Sequence, residues 1–276
     1  MVTTGVAKSL RDLAARHGVR PRKALGQHFL ADSNLARSIV RWAGVGQADR
    51  VLEIGAGLGS LTVELARVAE RVIAVELDPG AARALRDVVA DTTVEVVEAD
   101  ALELDWSELL PDGAWKMVSN LPYNVAVPVT MKLLDAAPSV ESFTVMVQRE
   151  VGERLVAKPG NPQYGAVSVR VAYHADAATI RRVPPSVFWP QPAVESVIVR
   201  LDRRPPPVST PPRELFRVVA EGFAQRRKTM RNALARLGME RTVAEEALRA
   251  CGLAVNVRAE ALGIAEFACL AERIRG

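Results

Sequence analysis

Short apolar runs alternate with amphipathic stretches through the first 150 residues. The amphipathic stretches predict a helix over residues 9–17 and a second helix that begins at an N-cap, Asp32 or Ser33, and ends near Trp42. Further on, strands separated by helices are typical of a largely parallel sheet that helices cover on both faces. The predicted strands cover residues 50–54, 71–76, 94–98, 115–119 and 142–148, and the helices between them cover residues 60–68, 80–89 and 127–134.

The pattern changes after Gly165. Residues 165–201 contain strand-like runs broken by four prolines, which predict a terminal antiparallel pair with a stiff connecting loop. Three consecutive prolines at 205–207 predict a stiff linker. Helical periodicity then continues through residues 214–236, 243–250 and 265–274. We therefore predict an α/β domain over residues 1–205 and a small all-α domain over residues 206–276.

Composition narrows the class of protein. Of the 276 residues 49% are hydrophobic and 25% are charged, which is typical of a folded chain. Apolar runs stay below the roughly 18 residues of a membrane helix, and residues 1–30 lack the apolar core of a signal peptide. Two cysteines argue against a disulfide framework or a cysteine-based zinc site, and three scattered histidines offer no metal-ligand spacing. We expect a cytoplasmic protein without a metal and without membrane attachment.

The distribution of charge says more than the net charge of +4. Residues 1–30 carry a net charge of +5 and residues 222–237 another +5, so the rest of the chain sums to −6. Basic residues concentrated in two segments predict contact with a polyanion, either a nucleic acid or a membrane surface. The alternative is that each segment is simply a solvated helix face. The candidate RNA-binding residues are Arg22, Lys23, Arg226, Arg227, Lys228 and Arg231.

A glycine loop, Gly55-Ala-Gly57-Leu-Gly59, follows the first buried strand. Glycines allow a tight turn and a close approach of a ligand to the backbone, but this spacing differs from the dinucleotide fingerprint. Glu76 ends the next strand, where a carboxylate can accept both hydroxyls of a ribose. Asp100 follows the third strand, where it can accept from an adenine amine. Together they predict a site for S-adenosyl-L-methionine; the alternative is that both acids only cap turns.

The fourth strand leads directly into Asn120-Leu121-Pro122-Tyr123. The exocyclic amine of adenine is a poor nucleophile because its lone pair is delocalised into the ring. The Asn120 side-chain oxygen and the Leu121 carbonyl, whose direction Pro122 restricts, can accept its two hydrogens. Tyr123 offers a ring on which a flipped base can stack. This segment predicts methyl transfer to an adenine amine by positioning; the alternative is a proline turn with a buried tyrosine.

With these motifs the chain resembles the ribosomal RNA adenine dimethyltransferases of the small-subunit type. The resemblance implies a seven-stranded, Rossmann-like class I methyltransferase sheet with a small all-α C-terminal domain. It also implies dimethylation of two adjacent adenosines near the 3′ end of 16S rRNA within a pre-small-subunit particle, by a monomer. The motifs that carry it lie, in order, at residues 25–30, 53–57, 120–124, 187–196 and 223–232.

The resemblance also assigns site residues. Asn120, Leu121 and Tyr123 fall at the target base, with Phe188 as a second stacking partner. Many relatives have asparagine where this chain has His28, whose imidazole can still donate to the carboxylate of the cofactor. The expected cofactor-binding residues are His28, Leu30, Gly55, Gly57, Glu76, Asp100 and Asn120.

Three other functions compete with this interpretation. The erythromycin-resistance methyltransferases of 23S rRNA share the glycine loop and the Asn-x-Pro-Tyr type of motif, but the basic run from Gln225 to Thr229 favours the small-subunit type. An RNA-binding assembly or transcription factor on the same fold has no need to retain Asn120 and Tyr123. A nicotinamide dehydrogenase is disfavoured by the glycine spacing.

Overall fold

The protein consists of two compact units in the computed structural model. The first unit runs to residue 152 and includes residues 178–203, and the second combines residues 153–177 with the chain from residue 204. The predicted single boundary after residue 205 differs from this division, because residues 153–177 contribute side chains to the core of the second unit. The residues that the structure describes are 3–22, 26–110 and 113–275.

Seven strands form one mixed sheet. They are β2 (Arg50–Ile54), β3 (Arg71–Glu76), β4 (Val94–Glu98), β5 (Trp115–Asn120), β6 (Val140–Gln148), β7 (Ala175–Val183) and β9 (Ser196–Arg203). Their order across the sheet is β4-β3-β2-β5-β6-β9-β7. The first five are parallel, and β9 runs antiparallel to β6. This confirms the seven-stranded methyltransferase-type sheet, and it places the carboxyl ends of β2 to β5 at one edge.

A second sheet has only two strands. It pairs β1 (Phe29–Leu30) antiparallel with β8 (Phe188–Trp189), with Phe29 opposite Trp189 and Leu30 opposite Phe188. This pairing joins residues 29–30 to a segment about 160 residues later in the chain. Neither strand is predicted from the sequence, because two residues are too short to give a periodicity.

Aspartates cap the starts of two long helices in the first unit. Asp32 accepts from the backbone N–H groups of Asn34 and Leu35 at the start of α2, as predicted. Asp78 does the same at the start of α4, where Pro79 occupies the first turn. The helices of the first unit are α1 (Thr3–Arg16), α2 (Ser33–Trp42), α3 (Thr62–Ala66), α4 (Pro79–Val88), α5 (Trp106–Leu109) and α6 (Ala126–Ala136). A further helix, α7 (Arg149–Val156), continues into the second unit.

The first part of the predicted strand-like region is a helix, α8 (Ala166–His174). Its alternating valines favour a strand by propensity, so the prediction was wrong here. The Ser168 hydroxyl accepts from the Gly165 N–H at 3.1 Å, which fixes the start of the helix. Val169 and Tyr173, four residues apart, are buried on one face in the core of the second unit. Tertiary burial therefore outweighs the local strand preference.

The second unit is otherwise formed by α9 (Pro212–Ala224), α10 (Met230–Arg236), α11 (Arg241–Ala250) and α12 (Ile264–Arg275). The single helix predicted over residues 214–236 is interrupted. Gln225 leaves the helical conformation with φ −134° and ψ 78°, and Thr229 is extended at the start of α10. The Met230 N–H bonds to the Val257 carbonyl at 2.8 Å. Residues 226–228 therefore lie in a turn between two helices and not in a helix.

The two cysteines of the second unit are joined. Cys251, which follows α11, forms a disulfide with Cys269 of α12, with the Cα atoms 5.9 Å apart. The sequence argued against a disulfide framework, and one bridge is not a framework, but the pairing itself was not foreseen because 18 residues separate the two thiols. In the part of the chain that the structure describes, no helix has the length and apolarity to cross a bilayer.

Arg203, the last residue of β9, closes the end of α6. Its guanidinium donates to four carbonyls at the end of α6 and at the start of β6, at distances of 2.9–3.2 Å. The guanidinium is partly buried, so each of these bonds is shielded from water. The carbonyls belong to Leu133, Leu134, Ala137 and Val140.

Removing this guanidinium should destabilise the first unit. We expect Arg203→Met to lower the free energy of unfolding by about 2–4 kcal/mol, because several partly buried carbonyls lose a charged donor. All four tryptophans lie in the first unit, so urea unfolding followed by tryptophan fluorescence reports on that unit alone. Arg86→Met is the control, since Arg86 only pairs with Glu98 on the surface and should cost less than about 1 kcal/mol. Equal losses in the two variants would contradict this role.

Candidate functional site

A cavity opens where the carboxyl ends of β2, β3, β4 and β5 meet, and residues 26–30 close one side of it. Its empty volume is about 970 Å³ including the open mouth, which suits a ligand of nucleoside size with room for a second group. Ligands of parallel sheets bind at this edge. All of the sequence-predicted cofactor residues line it, together with Leu121 and Tyr123.

The glycine loop is shaped by close contacts. Gly55 and Gly57 have φ values of +72° and +58°, which residues other than glycine rarely adopt. A Cβ atom on Gly55 would lie 2.6 Å from the Pro122 ring, and one on Gly57 would lie 2.8 Å from the Phe29 ring. The loop therefore touches both the Asn120–Tyr123 segment and β1, and any larger residue would push these walls apart.

Glu76 lies at the end of β3 and is only 6% exposed. Its two carboxylate oxygens accept from backbone N–H groups, Oε2 from Gly57 at 2.7 Å and Oε1 from Asp78 at 2.9 Å. Burial raises the pKa of this carboxyl, and the two backbone donors oppose the shift. Because each oxygen has a second lone pair, Glu76 can hold the loop and still accept from two hydroxyls of a ligand.

Asp100 follows β4 on the same side of the cavity. Its Oδ1 accepts from the Leu102 N–H at 2.8 Å, and its own carbonyl accepts from the Glu103 N–H at 2.9 Å. The side chain thus closes a local turn with one oxygen. The second carboxylate oxygen remains an acceptor, which suits an amine of a ligand.

Asn120, the last residue of β5, has a fixed amide. Its Nδ2 donates to the His28 carbonyl at 3.0 Å, so its Oδ1 is the atom that can accept from a ligand. Leu121, the next residue, is 1% exposed, and its N–H donates to the Met146 carbonyl. The Leu121 carbonyl accepts no hydrogen bond from a backbone N–H of the described residues. The segment therefore offers two oriented acceptors in neighbouring residues.

Two aromatic rings meet beside these acceptors. The centroids of the His28 and Tyr123 rings are 5.1 Å apart with an angle of 34° between the planes. The His28 Nδ1 lies 2.7 Å from the Pro190 carbonyl and must donate to it, which leaves Nε2 for a ligand. The Tyr123 hydroxyl bonds to the Ser196 hydroxyl at 2.6 Å, and burial raises the pKa of the phenol. Both rings are thus held by residues after β8.

Phe188, the predicted second stacking partner, is a buried residue. It lies in β8 opposite Leu30, is 4% exposed and packs in the core with Ile198. Among the described residues, those that line the cavity do not include it. Pairing with β1 thus leaves the Phe188 ring buried in the core, and its role as a second stacking partner stays a prediction.

Two residues of the site were missed by sequence reasoning. Ser196 is the last residue of the motif at residues 187–196, but nothing in the sequence indicates its hydrogen bond to Tyr123. Glu53 begins the glycine motif and, as an acid at the end of a strand, could have been recognised by the same argument as Glu76. It lines the cavity, is 2% exposed, and its Oε2 has no hydrogen-bond partner among the described residues. Burial, and to a smaller extent the negative charge of Glu76, raises the pKa of Glu53 to about 8.

Of the two basic candidates near the N-terminus, the structure describes only Arg22, which does not line this cavity. Arg22 is largely exposed and lies 4.0 Å from the Asp78 carboxylate. Lys23 lies outside the described residues.

The four candidates of the second unit differ in their partners. Arg226 donates to the carbonyls of Pro162 and Tyr164, and Arg231 forms an ion pair of 2.7 Å with Glu245. Arg227 and Lys228 are exposed, and in the described part of the chain neither side chain has a hydrogen bond or an ion pair. The structure therefore separates two arginines with internal partners from two unpaired cations.

Comparison with known proteins gives a consistent result. Residues 18–275 match the family model of the ribosomal RNA adenine dimethylases. A protein of Kineococcus radiotolerans named ribosomal RNA small subunit methyltransferase A is 49% identical over 271 residues, which cover 96% of this chain and 90% of that protein. A protein of Thermobifida fusca with the same name is 47% identical over 270 residues, with coverage of 95% and 93%.

Solved structures resemble the fold over most of its length. A dimethyladenosine transferase from Plasmodium falciparum is similar with a TM-score of 0.73 and 25% identity, over 88% of this chain and 96% of that one. The 23S rRNA methyltransferase ErmE is similar with a TM-score of 0.69 and 26% identity, over 90% of this chain and all of that one. The family model covers well over half of the chain, and the two relatives are identical to it at almost half of the aligned positions. This chain belongs to the ribosomal RNA adenine dimethylase family.

Proposed function

We propose that this enzyme uses S-adenosyl-L-methionine to dimethylate the N6 amines of two adjacent adenosines near the 3′ end of 16S rRNA. Family membership and the small-subunit names of the relatives at 49% and 47% identity support the reaction and the substrate. The observation that carries the proposal is the Asn120 amide, whose nitrogen is held by the His28 carbonyl so that its oxygen stays available to an amine. The Tyr123 ring lies next to it.

The cavity fits the cofactor. Glu76 and Asp100 each keep acceptor capacity, as a ribose diol and an adenine amine require. Glu53 is buried beside the cavity with an unpaired oxygen, and it suits a ligand that carries a positive charge. The His28 Nε2 can donate to a carboxylate when the ring is protonated. When bound, S-adenosyl-L-methionine supplies a methyl group that its sulfonium already activates.

The chain's own residues orient the base. The Asn120 Oδ1 and the Leu121 carbonyl accept the two amine hydrogens and favour a nitrogen whose lone pair points away from them. The Tyr123 ring, held by Ser196, supports the flipped base by stacking. No general base is needed, because positioning of an amine against an activated methyl group lowers most of the barrier.

Exposed basic residues suit contacts with the phosphates of the rRNA backbone. Arg227 and Lys228 are exposed in the turn between α9 and α10, which suits contacts with phosphates. Arg22, Lys23, Arg226 and Arg231 remain candidates, although Arg226 and Arg231 already have internal partners. We expect the substrate to be a pre-small-subunit particle in the cytoplasm and the enzyme to act as a monomer. The 23S rRNA alternative is supported by the likeness to ErmE at 26% identity, but the relatives at 49% and 47% identity carry small-subunit names.

Small-subunit particles from cells that lack this protein should contain unmodified adenosines at the proposed site, and the purified enzyme should dimethylate them. Asn120→Ala should slow this reaction by about two orders of magnitude or more, since an acceptor for the amine is lost. Asn34→Ala, which alters an exposed asparagine of α2, is the control and should keep the wild-type rate. Mapping N6,N6-dimethyladenosine in both rRNAs gives the readout. Loss from 23S rRNA instead, or a normal rate for Asn120→Ala, would overturn the proposal.

Cofactor binding should release a proton from Glu53. With a pKa of about 8 its carboxyl is mostly protonated at pH 7, and a bound cation lowers that pKa, so roughly 0.9 of a proton can leave on binding. The release should fall towards zero above pH 9, where the carboxyl is already ionised. Calorimetric titration with S-adenosyl-L-methionine in buffers of different ionisation enthalpy measures it. Glu53→Gln should abolish the release and Glu64→Gln, an acid paired with Arg67, should keep it; buffer-independent heats for the wild type would contradict this role.

Reversing the two unpaired cations should weaken binding of the particle. In Arg227→Glu/Lys228→Glu we expect lower affinity and a salt dependence less steep by about 1–2 in log–log slope, because about two phosphate contacts are lost. The control is Arg213→Glu/Arg217→Glu, which makes the same change of charge on the exposed side of α9. Filter binding at several salt concentrations measures the slope. Cofactor affinity should stay unchanged in both variants, and an unaltered slope in the first would exclude this turn from the RNA contact.

A further inference from the structure

The loop after β4 carries Asp100 but has little support of its own. Its first residue, Ala99, donates to the Glu76 carbonyl at 3.1 Å. Asp100 then bonds to the Leu102 N–H, so the direction of its carboxylate depends on where the Leu102 backbone lies. The far end of the loop is held at α5, where Asp105 accepts from the Ser107 N–H at 2.9 Å. The middle of the loop needs another anchor.

Lys132 of α6 is that anchor. Its Nζ donates to the Leu102 carbonyl and to the Leu104 carbonyl, the latter at 3.0 Å. Both backbone polar groups of Leu102 are thereby held, since its N–H donates to the Asp100 carboxylate and its carbonyl accepts from Lys132. The ammonium also lies near enough to Asp105 to help lower the pKa of that carboxyl, after the larger effect of the Ser107 hydrogen bonds.

The helix that carries Lys132 contributes to the same site. α6 begins six residues after Asn120, and its Val129 lines the cavity. Leu133 and Leu134, next to Lys132, are fully buried, so the base of the lysine side chain cannot shift. Lys132 therefore links the segment proposed for the target base with the loop proposed for the adenine of the cofactor.

We propose that Lys132 is a positioning residue that sets the selectivity of the cofactor pocket for adenine by holding Leu102 and, through it, the Asp100 carboxylate. This inference rests on the proposed function, in which Asp100 accepts from the adenine amine. A carboxylate that is held in place discriminates strongly between an amine, which donates, and the carbonyl oxygen of hypoxanthine, which does not. A carboxylate on a loosened loop can turn away from the carbonyl and loses that discrimination.

The test compares S-adenosylhomocysteine with S-inosylhomocysteine by calorimetric titration of the full chain. Their bases differ at the exocyclic group and at the adjacent N1. We expect the wild type to prefer the adenine ligand by tenfold or more. Lys132→Met should weaken binding of the adenine ligand by about tenfold and change binding of the inosine ligand by less than twofold, so the preference collapses. Lys132→Arg, which keeps a cationic donor, should restore most of the preference.

Lys116→Met is the matched control. Lys116 also ties a loop through its Nζ, to the Gly44 carbonyl at 2.7 Å and to Asp49 at 2.8 Å, but at the opposite end of β5. It should keep the wild-type preference. Equal weakening of both ligands in Lys132→Met, or an unchanged preference, would overturn the positioning role. Failure of the wild type to bind S-adenosylhomocysteine, or to prefer it, would instead overturn the proposed cofactor site, so the two failures are distinguishable.

Discussion

The missing side chain at Gly55 determines how the site is assembled. Its Cα packs so closely on Pro122 that any Cβ would overlap the proline ring. The loop after β2 and the segment after β5 can therefore touch, and this contact sets the position of Asn120 and Tyr123 relative to the glycine loop. Glu76 adds to it by bonding the Gly57 N–H from the neighbouring strand. The geometry proposed for methyl transfer therefore depends on the absence of a Cβ atom at residue 55.

The parts of the fold that follow from local chemistry were predictable. Apolar runs marked the strands, and capping acids such as Asp32 marked helix starts, because both act over a few residues. The acids at strand ends were predicted to meet, since the carboxyl ends of parallel strands share an edge. Contacts between distant segments were not predictable in this way. The Tyr123–Ser196 bond, the grip of Lys132 on the Asp100 loop and the burial of Phe188 all depend on pairings that no local pattern encodes.

The roles of the basic residues after α9 could also not be predicted from the sequence. The basic run after α9 is evident in the sequence, but its members do different work. Arg226 satisfies backbone carbonyls and Arg231 pairs with Glu245, so both stabilise the second unit. Arg227 and Lys228 remain for a polyanion. Arg226, Arg227 and Lys228 share one turn, so only their hydrogen-bond partners separate the two kinds. Periodicity did not reveal that turn, because alanine, glutamine, arginine and lysine are all good helix formers.

The rings of His28 and Tyr123 are both fastened to one late segment of the chain, to Pro190 and to Ser196 respectively. Translation runs from the N-terminus, so the glycine loop, Glu76, Asp100 and the Asn120 strand are all made well before their last supports. A nascent chain that ends before residue 190 contains the proposed cofactor residues but lacks the anchors of both rings. Catalytic competence therefore arises late in synthesis, when the antiparallel return strand is complete.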